Sequence, residues 1–255
     1  MMWKKIVSLS ALALFSLSLC AQEALNFCYN EAGSYPWQAP DRPGLSSRIA
    51  LLVGVQLGQP VTLTALPWQR CVNELQKGHF HGVLGASYKA ERLVFGQYPL
   101  DDKGRLDHRK RMFSEAYVLV RPKGSQVSWD GKAVQPPGAT IAANHQFSVV
   151  DLLRALGTKV DDGTRGTELT LRKVLLKRAD AAVVQLNGAK FEFEKHPEFA
   201  DTLEIQPLPV DEKDYYLVLG HALGPALSKR IWDAVERVRE SKSYAAQQKA
   251  FFSGQ

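Results

Sequence analysis

The sequence predicts an exported α/β protein with a polar crevice, and three observations carry that expectation. Short apolar runs bounded by Gly, Pro and polar residues alternate with segments of helical period, the pattern of strands followed by helices. One stretch, Pro67 to Leu100 (PWQRCVNELQKGHFHGVLGASYKAERLVFGQYPL), reads as a helix, a strand and a polar loop ending in arginine. In an open α/β sheet, residues just past the carboxyl end of a strand line the ligand crevice. The third observation is a leader. Met1 to Lys5 is basic, Ile6 to Leu19 is apolar yet short for a bilayer span, and Cys20-Ala21 follows.

The leader predicts a signal peptide over residues 1–21, cleaved near Ala21. A lipid-modified cysteine normally follows a small residue. Leu19 precedes Cys20, which favours a soluble exported protein over a tethered one. No second apolar run is long enough to cross a membrane. A chain of 255 residues allows one large domain or two lobes with a substantial core. Lys4 and Lys5 account for two of the six net positive charges, so +6 falls to +4 without the leader. The densest basic run, His108 to Arg111, is short, and no aromatic-interleaved basic platform for nucleic acid is present. Cys28 and Cys71 remain in an oxidising compartment, where one pair permits one connectivity. A disulfide is expected, with a free buried pair as the alternative.

Leu25 to Tyr29 reads as the first strand, running into a turn-rich loop, Asn30 to Trp37, with two aromatics around a proline. Leu45 to Leu57 is a helix with Leu45, Ile49, Leu52 and Val53 apolar, capped by Gly58. Val61 to Ala65 is a strand that delivers Pro67 and Trp68 to the crevice side. The next helix carries Cys71, Val72 and Leu75 on its apolar side and closes at Lys77-Gly78. His79 and His81 flank Phe80 with no third ligand in reach, so they read as solvated or structural rather than as a metal site. Gly82 to Gly85 is a short buried strand, and Ser87 to Arg92 the polar loop beyond it.

Residues 101–111 are a polar surface excursion, and Met112 to Val120 a long strand crossing out of the first half. Ser125 to Pro137 is a loop with a turn at Trp129-Asp130-Gly131. Ala139 to Ala142 opens the second half, followed by Asn144, His145, Gln146 and Phe147. A helix opens at Ser148 with Asp151 three residues on, the spacing of a capping box. Its first turn offers unpaired N–H groups and a positive dipole end, a second clamp for an anion. Thr167 to Lys177 is a helix, Phe191 to Pro197 polar surface, Leu203 to Leu208 a strand, and Pro207 to Lys213 a second crossover. Tyr215 to Leu219 is a strand returning to the first half, and Pro225 to Tyr244 a helix with Leu227, Ile231, Val235 and Val238 on one face.

Taken in order, these segments resemble the amino-acid-binding branch of the periplasmic solute-binding proteins. The long helix, the strand after Gly82, and Ser87 five residues before Arg92 carry the likeness. So do Arg178-Ala-Asp-Ala-Ala-Val-Val-Gln185 and the closing RIWDAVERVRESKSY. The resemblance implies a type 2 fold of two lobes, each an open mixed sheet flanked by helices, joined by a two-strand hinge. It divides the chain into lobe one (22–118 and 209–255) and lobe two (119–208). It also implies a periplasmic monomer, without cofactor, that binds a small carboxylate-bearing solute for a membrane permease or sensor. Arg92 and Ser87 would hold the carboxylate, as a guanidinium fork suits it. Asn144, Gln146 and Phe147 would face it from lobe two. Tyr35, Trp37 and Trp68 would stack on the ligand, with Glu31 and Gln185 reading its polar groups.

The chain also departs from that family. His81 stands where aspartate is common, Arg48 is the only charge in its helix, and Gln185 replaces the aspartate that takes an α-ammonium. A neutral amide compensates a buried ammonium poorly, which argues against an ordinary α-amino acid as ligand. Two other readings stay open. One is an exported lyase for cyclic carboxylic acids, with Glu31 or His145 as general acid; the other is a ligand-free structural or sensory lobe pair.

Overall fold

The computed structural model describes residues 23–39 and 42–253. The expected signal peptide, its cleavage site and Cys20 lie outside the described residues. Among those described, no helix is long and apolar enough to cross a membrane.

Strands β1 (Leu25–Asn30), β2 (Val61–Leu66) and β3 (Gly82–Ser87) are parallel neighbours at one end of an eight-stranded sheet. Helices α1 (Leu45–Leu57) and α2 (Trp68–Gln76) connect them. Gly58 ends α1 in the left-handed region (φ 67), returning its N–H to Gly54 and Val55 carbonyls, as a C-terminal glycine should. Two long strands follow that belong to both halves. β4 (Phe113–Pro122) runs out of the first half, with β5 (Ser128–Trp129) and β6 (Val134–Gln135) forming a small separate hairpin after it. The second half is built from β7 (Thr140–Asn144), α3 (Ser148–Ala155), β8 (Lys159–Thr164), α4 (Thr167–Leu175) and β9 (Ala181–Gln185). Then come α5 (Leu186–Lys195), α6 (Pro197–Thr202), β10 (Leu203–Leu219), α7 (Pro225–Arg239) and α8 (Lys242–Ser253).

The sheet order is β2-β1-β3-β10-β4-β9-β7-β8, with β10 antiparallel to both β3 and β4 and β7 parallel to β8 and β9. Apolar packing divides where β4 and β10 cross. Phe113 and Tyr215 pack with Phe27, Ile49 and Val235, whereas Tyr117 and Val210 pack with Ile141 and Leu153. Cys28 on β1 and Cys71 on α2 form the expected disulfide, with Cα atoms 5.8 Å apart.

Several segments differ from their sequence readings. β10 is one strand of 17 residues rather than two strands and a crossover. Pro207 and Pro209 lack an N–H, and the ladder absorbs this with register shifts between Ile205 and Asp211. The expected polar surface at 191–197 is mostly helix α5, whose Leu186, Ala189 and Phe193 pack inward at helical spacing. The closing helix is two, because the Ser241 hydroxyl accepts the Tyr244 N–H at 3.1 Å and starts α8. The Ser148–Asp151 capping box does not form. Phe147 is the N-cap, and Asp151 instead pairs with Lys89 across the cleft. β8, unexpected from its polar KVDDGT, is an edge strand held by backbone pairing to β7.

Candidate functional site

Two parallel pairs of strands, running in opposite directions, end at one cleft. Asn30 closes β1, Ser87 closes β3, Asn144 closes β7 and Gln185 closes β9. This is where an open α/β sheet presents its loops. The cavity between the halves measures ≈ 60 Å³, room for roughly five water-sized bodies at ~10–15 Å³ each.

Arg92 enters from a short 3-10 turn (Ala90–Val94) after β3. Its Nη1 donates to the Ser87 carbonyl at 2.8 Å and to the Ser87 hydroxyl at 3.1 Å. Its Nη2 reaches the Gln146 carbonyl at 3.5 Å, and the guanidinium lies 5.2 Å from the Trp68 ring centre. Tyr98 adds a 2.8 Å hydrogen bond to the same Ser87 carbonyl. Gln146, a non-glycine residue at φ 62, holds its carbonyl toward Arg92 from the left-handed region. Such strain persists only where surrounding structure imposes it.

The floor comes from the crossing strands. Phe113, Glu115 and Tyr117 share one face of β4 by the period-two alternation of strands. Trp37 stacks on Phe113 at 4.0 Å, and Phe113 on Tyr215 at 4.8 Å. The Tyr215 hydroxyl meets that of Tyr117 at 2.7 Å and accepts from Gln185 Nε2 at 2.7 Å. The Ser34 hydroxyl donates to Gln185 Oε1 across the cleft. Gly44 sets Trp37 in place by close approach, since a Cβ there would stand 2.3 Å from the Trp37 carbonyl oxygen.

Glu115 is buried and ties three elements together. It accepts from Trp37 Nε1 at 2.6 Å, from Asn187 Nδ2 at 2.8 Å and from the Asn187 N–H at 3.3 Å. Burial pushes its carboxyl above the ordinary carboxylate range, against those hydrogen bonds. The folded chain therefore holds this proton to higher pH than the unfolded chain does. Stability should fall as pH rises from the ordinary value of 4.5 through the raised one. Glu115→Gln is expected to flatten that fall, which urea unfolding at about pH 4 to 7 would show. An unchanged slope would mean that another group sets it.

Of the residues singled out from sequence, Arg92, Ser87, Trp68, Trp37, Gln146, Phe147 and Gln185 line this cavity. Glu31 and Asn144 line a neighbouring recess instead, with Glu31 exposed on a turn. Asn144 Oδ1 is held by Thr170 at 2.5 Å, so it supports the loop from beneath. Tyr35 is not among the residues lining the cavity and stacks on Phe191 at 4.0 Å. His145 also lines the cavity, with its Nδ1 3.5 Å from Asp162. Sequence reading missed Ser34, Gln38, Phe113, Tyr117, Ser148 and Tyr215, all lining residues. The alternation in FSEAY was the available signal for the two on β4. His81 is structural, its Nδ1 accepting the Asn26 N–H at 2.9 Å. Among the described residues, one cluster of metal-ligating types, Glu168, Glu192 and His196, brings atoms within 4.8 Å of one another. It is interlaced with Arg172, 2.9 Å from Glu168, as an ion-pair network.

No family model matches the sequence, and no curated protein matches it. Solved structures do. The GluR0 ligand-binding core from Nostoc punctiforme, solved with L-glutamate, superposes with a TM-score of 0.71 at 18% identity, over 89% of this chain and 99% of that one. A histidine kinase sensor domain with similarity to periplasmic binding proteins gives 0.72 at 14% identity, over 91% and 96%. An ancestral amino-acid-binding protein, AncCDT-1, a precursor of cyclohexadienyl dehydratase, gives 0.69 at 14%, over 90% and 95%. The shared architecture is the two-lobed type 2 periplasmic-binding-protein fold.

Proposed function

We propose that this chain, with the fold just described, is an exported solute-binding protein. It captures a small carboxylate-bearing solute between lobe one (22–118 and 209–255) and lobe two (119–208), then presents the closed form to a membrane permease or sensor. The observation that carries this reading is Arg92. Its guanidinium sits at the carboxyl end of a parallel strand, with Nη1 engaged by Ser87 and Nη2 reaching only a 3.5 Å contact. A carboxylate in the cavity would complete that fork. The first turn of α3, from Phe147 and Ser148, would face it from lobe two. Trp37, Trp68 and Phe147 would cover the ligand body, and Gln185 would abut it.

Contacts that span the cleft support closure as the working motion. Lys89 pairs with Asp151, Ser34 with Gln185, and Tyr35 stacks on Phe191. β4 and β10 are the continuous strands between the two halves, so they would act as the hinge. The kinship in fold with a glutamate-bound receptor core and a kinase sensor domain supports solute capture and keeps both kinds of partner in view.

Thermal unfolding with a panel of amino acids, keto acids and dicarboxylates tests the reading. A ligand at about a hundred times its dissociation constant should add ~2.7 kcal/mol. In a chain this size that raises the melting temperature by about 5–10 °C. No shift across the panel would sink carboxylate capture, and turnover of a cyclic carboxylic acid would replace it with lyase activity.

A further inference from the structure

We infer that the cleft selects small carboxylates that carry no amino group, such as 2-oxo and 2-hydroxy acids, over the matching α-amino acids. The inference rests on carboxylate capture at Arg92 and names the class of ligand captured there.

Charge balance is the first support. Among the described residues lining the cavity, Arg92 is the one permanent charge, and none is aspartate or glutamate. A monocarboxylate neutralises Arg92 and leaves the closed cleft balanced. An α-amino acid brings an ammonium as well, and the cleft then holds an excess positive charge in a site with little water. Burying such a charge without a partner is among the costliest things a site can do.

Acceptor supply is the second support. Glu115 is buried in the crossing strand beneath the cavity, but its oxygens are taken by Trp37 and by two Asn187 donors. Gln185 presents an amide to the cavity, yet its oxygen accepts from Ser34 and its nitrogen donates to Tyr215. The Tyr215 hydroxyl is in turn paired with Tyr117. The one carboxylate beneath the cavity and the Gln185 amide are therefore already engaged. An oxo or hydroxyl oxygen beside the carboxylate can accept in such a site, whereas an ammonium can only donate and meets no anionic acceptor in the lining.

Titration calorimetry of the full exported protein at neutral pH, using matched pairs, tests this. Lactate and pyruvate are set against alanine, and phenyllactate and phenylpyruvate against phenylalanine. The oxo or hydroxy member of at least one pair should bind about a hundredfold more tightly, and a tenfold margin already supports the selectivity. Gln185→Asp, which adds the missing anion, should narrow or reverse that margin. Should that variant fail to fold by circular dichroism, the wild-type ranking decides alone. An amino acid that binds as tightly as its partner, or a folded Gln185→Asp with an unchanged ranking, overturns the selectivity while carboxylate capture stands. Absence of binding by every compound, with the protein folded, overturns both.

Discussion

Arg92→Ala is expected to weaken binding of the captured carboxylate by about 30- to 4,000-fold, or ~2–5 kcal/mol. Its effect on the ligand-free melting temperature should be small. The side chain is half-buried, and its hydrogen bonds go to Ser87, whose carbonyl is also satisfied by Tyr98. A structural role would lower both stability and affinity; a binding role lowers affinity alone. Arg92→Lys separates charge from shape. It keeps the cation but loses the planar fork, so its affinity should fall between the two. Calorimetry on the three proteins reads this directly. Equal affinity in wild type and Arg92→Ala would place the carboxylate elsewhere in the cleft and remove the chief support for the proposed function.

Removing the disulfide carries the largest expected effect on stability. Cys28 and Cys71 are fully buried and 43 residues apart, and they join β1 to α2, the two elements that bring Asn30 and Trp68 to the cleft. Closing a loop of that length restricts the unfolded chain by about 4 kcal/mol on the chain-entropy account. The double variant Cys28→Ala/Cys71→Ala should therefore melt roughly 8–16 °C lower. Ligand affinity should change far less, because neither sulfur lines the cavity. The same loss should follow when the folded protein is reduced. A shift of a degree or two would mean that the loop is already held by packing in the unfolded ensemble.

The elements that were legible in the sequence are those whose own pattern matches their environment. α1, α2 and α7 have apolar residues at helical spacing, and those residues pack into the core, most of them fully buried. β1 and β3 are largely apolar runs covered on both sides. β8 was not legible, because KVDDGT owes its strand conformation to the backbone of β7 rather than to its side chains. β10 looks interrupted in the sequence because two prolines remove ladder donors, yet register shifts carry the strand past them. α5 was hidden by its charged face, although Phe193 packs inward and Phe191 reaches Tyr35.

The site divides along the same line. By itself the sequence determined the α/β class, the one pairing open to Cys28 and Cys71, and the placing of Ser87 and Arg92 at and just beyond the end of a buried strand. Each of these depends on residue type and on spacing within a few positions, which local backbone geometry converts into location. Only the tertiary structure decided that Phe113, Tyr117 and Tyr215 form the cavity floor, that Tyr35 turns to Phe191, and that Glu115 spends its oxygens on Trp37 and Asn187. Those outcomes join side chains as far apart in the chain as Trp37 and Glu115 or Tyr117 and Tyr215. Their meeting is set by how β4 and β10 pair and how the two halves close, and no local pattern encodes that.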